Sequence, residues 1–539
     1  MRPMFPLSVA RQWQRAVTAG GVAVAALFTA SLLPASAAPW VGITVAVVLV
    51  AVVMLRWRAA PLTELAVGRL RRHGRVSATD DTAVESYQLP WAAPDQPAAL
   101  RHNRFDIAAV VAVDGVAHSP SVLDQHRVEA ASTVPVDAVA DALAQIDVDL
   151  DGIDIVSVGR RCAARAHHEH AAQYSSRVGE HGAVGTRRTW CVLRINSVTN
   201  ADAAARRESV AATVAACAAR LAAELTARQC PARVVGEDEL TDIDEALLAE
   251  VEGQTLSRWG HLAHTGGVVT GYWLTPDDIT TENLVRVWIP ETDYTATTVQ
   301  LRPAPGVGVQ IGAFVRYGTG GPLSDPPLTG LNPLSGRHGQ ALSASRVTAG
   351  LPGLRVPFRR LAEGENLRAP AGANGIIVSA SAQGHPFLVD LGPTKPGDTA
   401  VVTVAAELAY LMQLALRQAA IGYFVLVVTG RPQPWSTIVG PGLQVVTTVP
   451  SALPRDGRSI MAIIDMPATK VPRADITMRV VAPNSTTGVV GVDVHLEQDS
   501  ARTVLIRTAQ FSHRGPIDLG HERNLIAGAG RGPRRRPAA

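Results

Sequence analysis

Asp147-Val148-Asp149-Leu150-Asp151-Gly152 is the segment whose residue types and spacing come nearest to a working site. Alternating aspartates can hold a divalent cation, as in the D-x-D metal site of a nucleotide-sugar glycosyltransferase. The same residues open like a calcium loop, but the twelfth position is Val158, where calcium requires a bidentate Glu. The competing account, and the favoured one, is a strand edge: the aspartates face solvent while Val148 and Leu150 turn inward. His167, His168 and His170 with Glu169, and the pair His261 and His264, also carry ligand atoms. Each set supplies too few donors for a closed tetrahedral site, and polar, Gly-containing surroundings place them on exposed loops.

Nucleotide chemistry finds no support. G-x-x-x-x-G-K-[ST] is absent, and Lys395 lies in Gly392-Pro393-Thr394-Lys395-Pro396-Gly397 with no helix directly after it. The run from Glu237 to Glu252 holds eight acids and no base, which reads as a solvated helix face or as a docking surface for a basic partner. Cys162, Cys191, Cys217 and Cys230 have no metal-like pairing and read as reduced core residues. These patterns assign no catalytic, cofactor-binding or metal-ligating residue, and they imply no cofactor.

The elements that must position these residues begin with apolar chain. Residues 16–55 contain no charged side chain, and Pro34-Ala35-Ser36-Ala37-Ala38-Pro39 divides them into runs of 17 and 16 residues, Val17–Leu33 and Trp40–Leu55. About 17 apolar residues is the lower limit for spanning a bilayer, and backbone amides in hydrocarbon must pair internally, so each run is expected to be a helix. Arg2, Arg11 and Arg15 precede the pair; Arg56, Arg58, Arg69, Arg71, Arg72 and Arg75 follow it. The positive-inside rule keeps both ends cytoplasmic and sends only the turn across. The rival is a signal peptide cleaved at Ala35-Ser36-Ala37, after which the second run still anchors the chain.

Beyond the anchor, Pro61–Arg75 reads as a juxtamembrane helix on anionic headgroups or as a solvated linker. Strands are expected at Phe105–Val113, Leu123–Val128, Ile153–Val158, Trp190–Ile195 and Ala232–Val235. Helices are expected at Pro135–Ile146, Asp202–Gln229 and Thr241–Glu252, an alternation that argues an α/β sheet. Residues 301–344 are rich in Gly and Pro and are expected to hold little regular structure beyond a strand near Val307–Tyr317. Thr399–Val404, Glu407–Ala420 and Tyr423–Val428 form a strand–helix–strand unit with parallel strands. The net charge of +3 over 539 residues implies no polyanion partner, and so no nucleic acid.

Taken together, the expected architecture is membrane-anchored α/β. A basic arm and two-helix transmembrane hairpin occupy 1–60 (helices about 16–33 and 40–55), with a juxtamembrane linker at 61–104. A first cytosolic α/β domain spans 105–300, a connection 301–344, a second, β-rich α/β domain 345–515, and a basic disordered tail 516–539.

The apolar start, Gly152-Ile153-Asp154-Ile155-Val156-Ser157-Val158-Gly159-Arg160-Arg161, and Arg188-Thr189-Trp190-Cys191-Val192-Leu193-Arg194-Ile195-Asn196 with the following Arg206-Arg207 helix resemble EccE, a membrane component of mycobacterial type VII (ESX) secretion systems. The resemblance runs from the hairpin to about residue 290 and is more diffuse beyond. It implies a structural, non-catalytic subunit of an inner-membrane complex with EccB, EccC and EccD, in which EccC is the ATPase. It carries over no catalytic residue. The alternative from another class is a membrane-tethered glycosyltransferase-like enzyme using Asp147–Asp151. The orientation is directly testable. Cysteines placed at 35–38 are expected to react with an impermeant reagent added outside the cell, and cysteines after residue 75 are not. External labelling within 105–290 in intact cells contradicts it.

Overall fold

The computed structural model describes residues 83–527 apart from 90–96, 126, 131, 146, 164–167, 249–250, 252, 451–452, 454–456, 467–472, 483–490 and 521. Before residue 83 it describes 7–9, 20–21, 23–25, 28, 38–57 and 60–61.

Of the two expected membrane helices, the second is α1, Ala38–Met54, with 17 residues and no charge. Of the first, the described residues 20–21, 23–25 and 28 are helical, and the rest of 16–33 lies outside the described residues. Leu7–Val9 pairs antiparallel with Leu55–Trp57, so the chain on either side of the apolar stretch is hydrogen-bonded together.

The first large sheet is antiparallel throughout its main path. In chain order it contains β1 Ala83–Tyr87, β2 Ala98–His102, β3 Asp106–Val113, β4 Gly152–Arg160, β5 Thr186–Asn196, β6 Gly267–Leu274, β7 Tyr294–Ala304 and β8 Gly308–Thr319. Across the sheet they run β1-β2-β3-β5-β4-β7-β8-β6. Consecutive strands are neighbours or one strand apart except β5 and β6, which have three strands between them, and helices cover both faces. The strand expected near Val307–Tyr317 is β8, and residues 301–304, placed in the Gly- and Pro-rich connection, instead complete β7 within this sheet. Gly306 (φ 71°) and Gly308 (φ 92°) turn the β7–β8 hairpin, conformations that Gly adopts without steric cost.

Helix α2, Val210–Ala227, buries Val214, Cys217, Leu221 and Leu225 on one face of the sheet. It is apolar enough to cross a membrane by composition, but that stripe makes it a core helix. The expected continuous helix from Asp202 is interrupted. Ser209 is extended (φ −165°), and its Oγ accepts the Ala212 N–H at 3.0 Å, capping α2 and separating it from Ala201–Ala205. On the other face lies α3, Glu237–Leu248, starting four residues earlier than expected and buried through Leu240, Ile243 and Leu247. The helix expected over Pro135–Ile146 ends at Asp141, and Leu123–Val128 is a hairpin, Pro120–Asp124 and Arg127–Ala130.

The second large sheet carries the expected parallel unit. It contains β9 Ala400–Ala405, β10 Phe424–Thr429, β11 Leu443–Val446, β12 Ile460–Asp465, β13 Ile476–Val480, β14 Val494–Ser500, β15 Thr503–Thr508 and β16 Ser512–Pro516. Their order is β11-β10-β12-β13-β9-β14-β15-β16, parallel through β14 and antiparallel after it. Helix α4, Leu408–Ala420, joins β9 to β10, and two strands stand between them. The two sheets are laced together. The 120–130 hairpin pairs with Pro386–Val389 in a smaller sheet, and Thr133–Pro135 pairs with Arg368–Pro370.

The first part of the expected disordered tail is structured. Glu522–Ala527 is a helix, and Glu522 inserts a buried carboxylate beside Arg417 of α4, Nε to Oε1 2.7 Å. Gln413 Nε2 donates to the same carboxylate at 2.6 Å, and Arg417 Nη1 donates to the Ile377 carbonyl at 2.6 Å. Residues 528–539 lie outside the described residues. Removing one partner leaves the other charge buried and uncompensated, which typically costs roughly 3–5 kcal/mol. Glu522→Leu is therefore expected to lower the denaturation midpoint strongly, and Arg417→Met with Glu522→Leu to recover most of the loss. Equal midpoints for the single variant and the native chain contradict the latch.

Candidate functional site

Three strands of the first sheet place a layer of charge in the interior. Asp154 on β4 is fully buried and is bound from both neighbouring strands. Arg194 Nη1 of β5 lies 2.6 Å from Oδ2, and Arg302 Nη1 of β7 lies 2.6 Å from Oδ1. The strand register enforces this, since Asp154 stands opposite Val192 and Gln300, leaving Arg194 and Arg302 one diagonal away on the same face. The arginines then reach outward to backbone. Arg194 Nε donates to Thr348 O at 2.9 Å, and Arg101 Nη1 to Val347 O at 2.6 Å. Fully buried Arg316 donates to Leu247 O at 2.7 Å and to Ser345 Oγ at 3.0 Å. Desolvation alone pushes the Arg316 guanidinium below its ordinary pKa. Arg101 also pairs with Asp244 of α3 at 2.5 Å. The layer thus pins residues 345–348 and the acidic helix onto the sheet.

The sequence held a sign of this layer. Asp154, Arg194 and Arg316 each interrupt an otherwise apolar strand, where a charge must be paired if the strand is buried. What could not be read was which strands are neighbours, and therefore which charge meets which.

A ligand in an open parallel sheet binds outside the carboxyl ends of the strands, where connections leave towards opposite faces. After β10 the chain runs to β11 on one side, over the face that buries Trp435 and Ile438 with α4, whereas β12 leads to β13 on the other side. The β10–β12 end is that point. It holds Thr429, Asp465 and Arg431. Thr429 Oγ1 donates to Asp465 Oδ2 at 2.8 Å, and Arg431 forks onto the same carboxylate at 2.9 and 3.0 Å. This is a closed ion pair. The turn after β9, Ala405-Ala406-Glu407, spends the Glu407 N–H on Gln498 Oε1 at 2.9 Å, and exposed Lys395 sits at the opposite, amino end of β9.

The residues singled out from sequence do not converge. Asp147 is ion-paired with Arg207, whose hydrogen bond holds its carboxyl below the usual range. Asp149 points to solvent between buried Val148 and Leu150, as the strand-edge account expects, and exchanges backbone bonds with the Asn200 side chain at 2.9 and 3.0 Å. Asp151 is half-buried, and its carboxyl is raised by that burial. Among the described residues no group of three or more His, Cys, Asp or Glu could hold a metal ion.

His170, expected on an exposed loop, is buried on the helix His168–Val178; His167 lies outside the described residues. His264 Nδ1 accepts the Gly266 N–H at 3.2 Å, and His261 is partly buried, its pKa lowered mainly by desolvation. On α3, Glu239 pairs with Arg233 and Asp244 with Arg101, leaving Glu237, Asp238, Asp242 and Glu245 exposed. The cysteines are free, and burial pushes the Cys162 thiol up to about 12 and those of Cys217 and Cys230 to about 11.

A histidine the sequence did not mark, His338, is fully buried. Its Nδ1 accepts the Gly271 N–H at 3.0 Å, and Nε2 donates to Trp259 O at 3.2 Å. Desolvation pushes it down to about 4, so it stays neutral when folded. The unfolded chain binds a proton below the ordinary histidine value of 6.5, so this contribution is complete above that pH. It is lost as pH falls towards 4, up to about 3 kcal/mol. Stability is expected to fall across that window, and His338→Asn to flatten the slope. An unchanged slope in the variant contradicts the assignment.

Fold and site define a class: two laced sheets behind an apolar N-terminal helix, with interior charges spent on internal clamps. The family model for EccE, the type VII ESX secretion system translocon family, matches residues 183–274, from β5 through α2 and α3 to β6. The chain is similar to the ESX-5 secretion system protein EccE5 of Mycobacterium marinum, 34% identical over 415 residues, covering 69% of this chain and 97% of that protein. It is similar to EccE5 of Mycobacterium tuberculosis, 39% identical over 246 residues (43% of this chain, 60% of the relative). To the ESX-2 protein EccE2 of Mycobacterium tuberculosis it is 25% identical over 383 residues (68% and 69%). The chain belongs to the EccE family, and it is a component of a type VII ESX secretion system.

Proposed function

We propose that this component is a non-catalytic structural subunit of the plasma-membrane complex, held by a two-helix hairpin with its amino terminus and soluble part on the cytoplasmic side. The observation that carries the reading is the pairing of Leu7–Val9 with Leu55–Trp57. Two segments joined by backbone hydrogen bonds lie on the same side of any membrane the intervening stretch crosses, so an even number of spans fits between them. The charge-free stretch and its arginine flanks supply the orientation.

Side-chain exposure on α1 supports the lipid setting. Trp40, Ile43, Val45, Val47, Val48 and Leu49 are exposed, while Gly42 and Ala46 are buried one turn apart. Lipid tails give helices no hydrophobic reason to associate, so close approach across small residues favours contact. EccB, EccC and EccD are the partners this reading assigns. Of the aspartates that a glycosyltransferase would use, Asp147 is paired with Arg207, Asp149 faces solvent and Asp151 is half-buried.

Ala46→Leu is expected to hold the two helices apart and cost roughly 1–2 kcal/mol of packing. It is also expected to reduce recovery of the partner subunits in detergent. Val47→Leu, on the exposed side, is expected to leave recovery unchanged. Equal recovery from both variants reduces the hairpin to an anchor.

A further inference from the structure

From residue 83 onward, the described exposed large hydrophobic side chains number seven: Val84, Phe105, Val198, Val307, Leu351, Val439 and Met466. Isolated exposed apolar residues are ordinary, but clustered ones mark an interaction surface. Five of the seven, each 37% to 63% exposed, gather at one end of the first sheet.

The register locates them. Ala83 stands opposite His102, His102 opposite Ile107, and Asp106 opposite Asn196, so β1 begins beside the 103–105 and 197–200 loops. The Ser197 N–H donates to the Phe105 carbonyl at 2.7 Å, joining the loops of Phe105 and Val198. Ile153 pairs with both Leu193 and Leu301, which sends the β7–β8 turn with Val307 to the same end. A Cβ on Gly350 would lie 2.9 Å from Asp106 Oδ2, which places Leu351 there too. This is also the end where the chain enters the sheet from the membrane hairpin.

We propose that these tips form a second membrane contact, in which Phe105, Val198, Val307 and Leu351 rest in the lipid headgroup region beside the hairpin. Continuity in sequence with the apolar stretch favours lipid over a protein partner: β1, the first strand of this sheet along the chain, begins at this end. Aromatic and arginine side chains suit that interface, and the Arg104 guanidinium lies 4.8 Å above the Phe105 ring. Two of the aspartates at this end are engaged. Asp147 pairs with Arg207, and Asp106 accepts the Asn196 amide at 2.7 Å, while Asp149, Asp202 and Glu85 are exposed anionic side chains and Asp151 is half-buried. The contact is therefore apolar insertion into lipid, with no polybasic attraction. It rests on the hairpin lying in the bilayer.

The test uses the full chain reconstituted in vesicles of zwitterionic lipid, with and without anionic lipid. Single cysteines at 105, 198, 307 and 351 carry a nitroxide, with controls at 439, 466 and 47. The native thiols are suited to stay unlabelled because burial holds them protonated. The four tip labels are expected to collide with dissolved oxygen several-fold more than with a water-soluble nickel chelate, relative to 439 and 466, in both vesicle types. Tip labels matching 439 and 466, with the label at 47 in lipid, overturn this inference alone; an aqueous label at 47 overturns the anchor as well. Tip labels shielded from both relaxants only in the assembled complex assign the surface to a protein partner and overturn the lipid contact.

Discussion

A single carboxylate, Asp154, sets the terms for the first sheet. An isolated charge taken out of water costs several kcal/mol even after relaxation, so Asp154 is tolerable only while Arg194 and Arg302 stand on the strands to either side. That requirement fixes register as well as charge. A slip of one residue in β4 would turn the carboxylate to the opposite face, among Val111, Leu193 and Leu301. The remaining guanidinium donors are then aimed at residues 345–348, and through them the chain leaving the first sheet is seated before the second begins. Whether such a network adds net stability over an apolar core varies between proteins; its role as a register device follows from the geometry.

The same logic recurs in the second sheet. Arg417 and Glu522 are buried together, and Arg177, from the helix inserted between β4 and β5, reaches Asp518 at 2.6 Å just ahead of the last helix. The strand pairing of 120–130 with 386–389 adds a backbone bond between early and late chain. Charges that could have done chemistry are instead holding distant segments to one another. This is how a large secretion component can hold distant parts of its chain in a fixed arrangement. The Thr429–Asp465–Arg431 fork is a further such pairing, at the carboxyl ends of β10 and β12.

Much of this was legible in sequence, and the failures share a cause. The helix Ala38–Met54, the β9–α4–β10 unit and outward-facing Asp149 between buried Val148 and Leu150 were readable because each is local, set by length, period or alternation. The antiparallel course of the first sheet was not, since the helices beside its strands look the same whether they cross over the sheet or cap it. Gly306 and Gly308 read as breakers when they are the turn of the central hairpin. Glu522 sat in a segment taken for a tail because its partner lies a hundred residues away in α4. Buried Asp154, Arg194 and Arg316 were visible as charges inside apolar strands, yet only strand order says that the first two meet and that the third meets backbone.

The central proposal is that these residues act by holding shape. It predicts that secretion follows the amount of assembled complex and nothing else. The direct measurement is a panel of interior variants, Asp154→Asn, Arg316→Met and Asp465→Asn, each scored for complex recovered from membranes and for protein secreted. On this account secretion falls in proportion to recovered complex in every variant. A variant with native levels of complex and no secretion would contradict it.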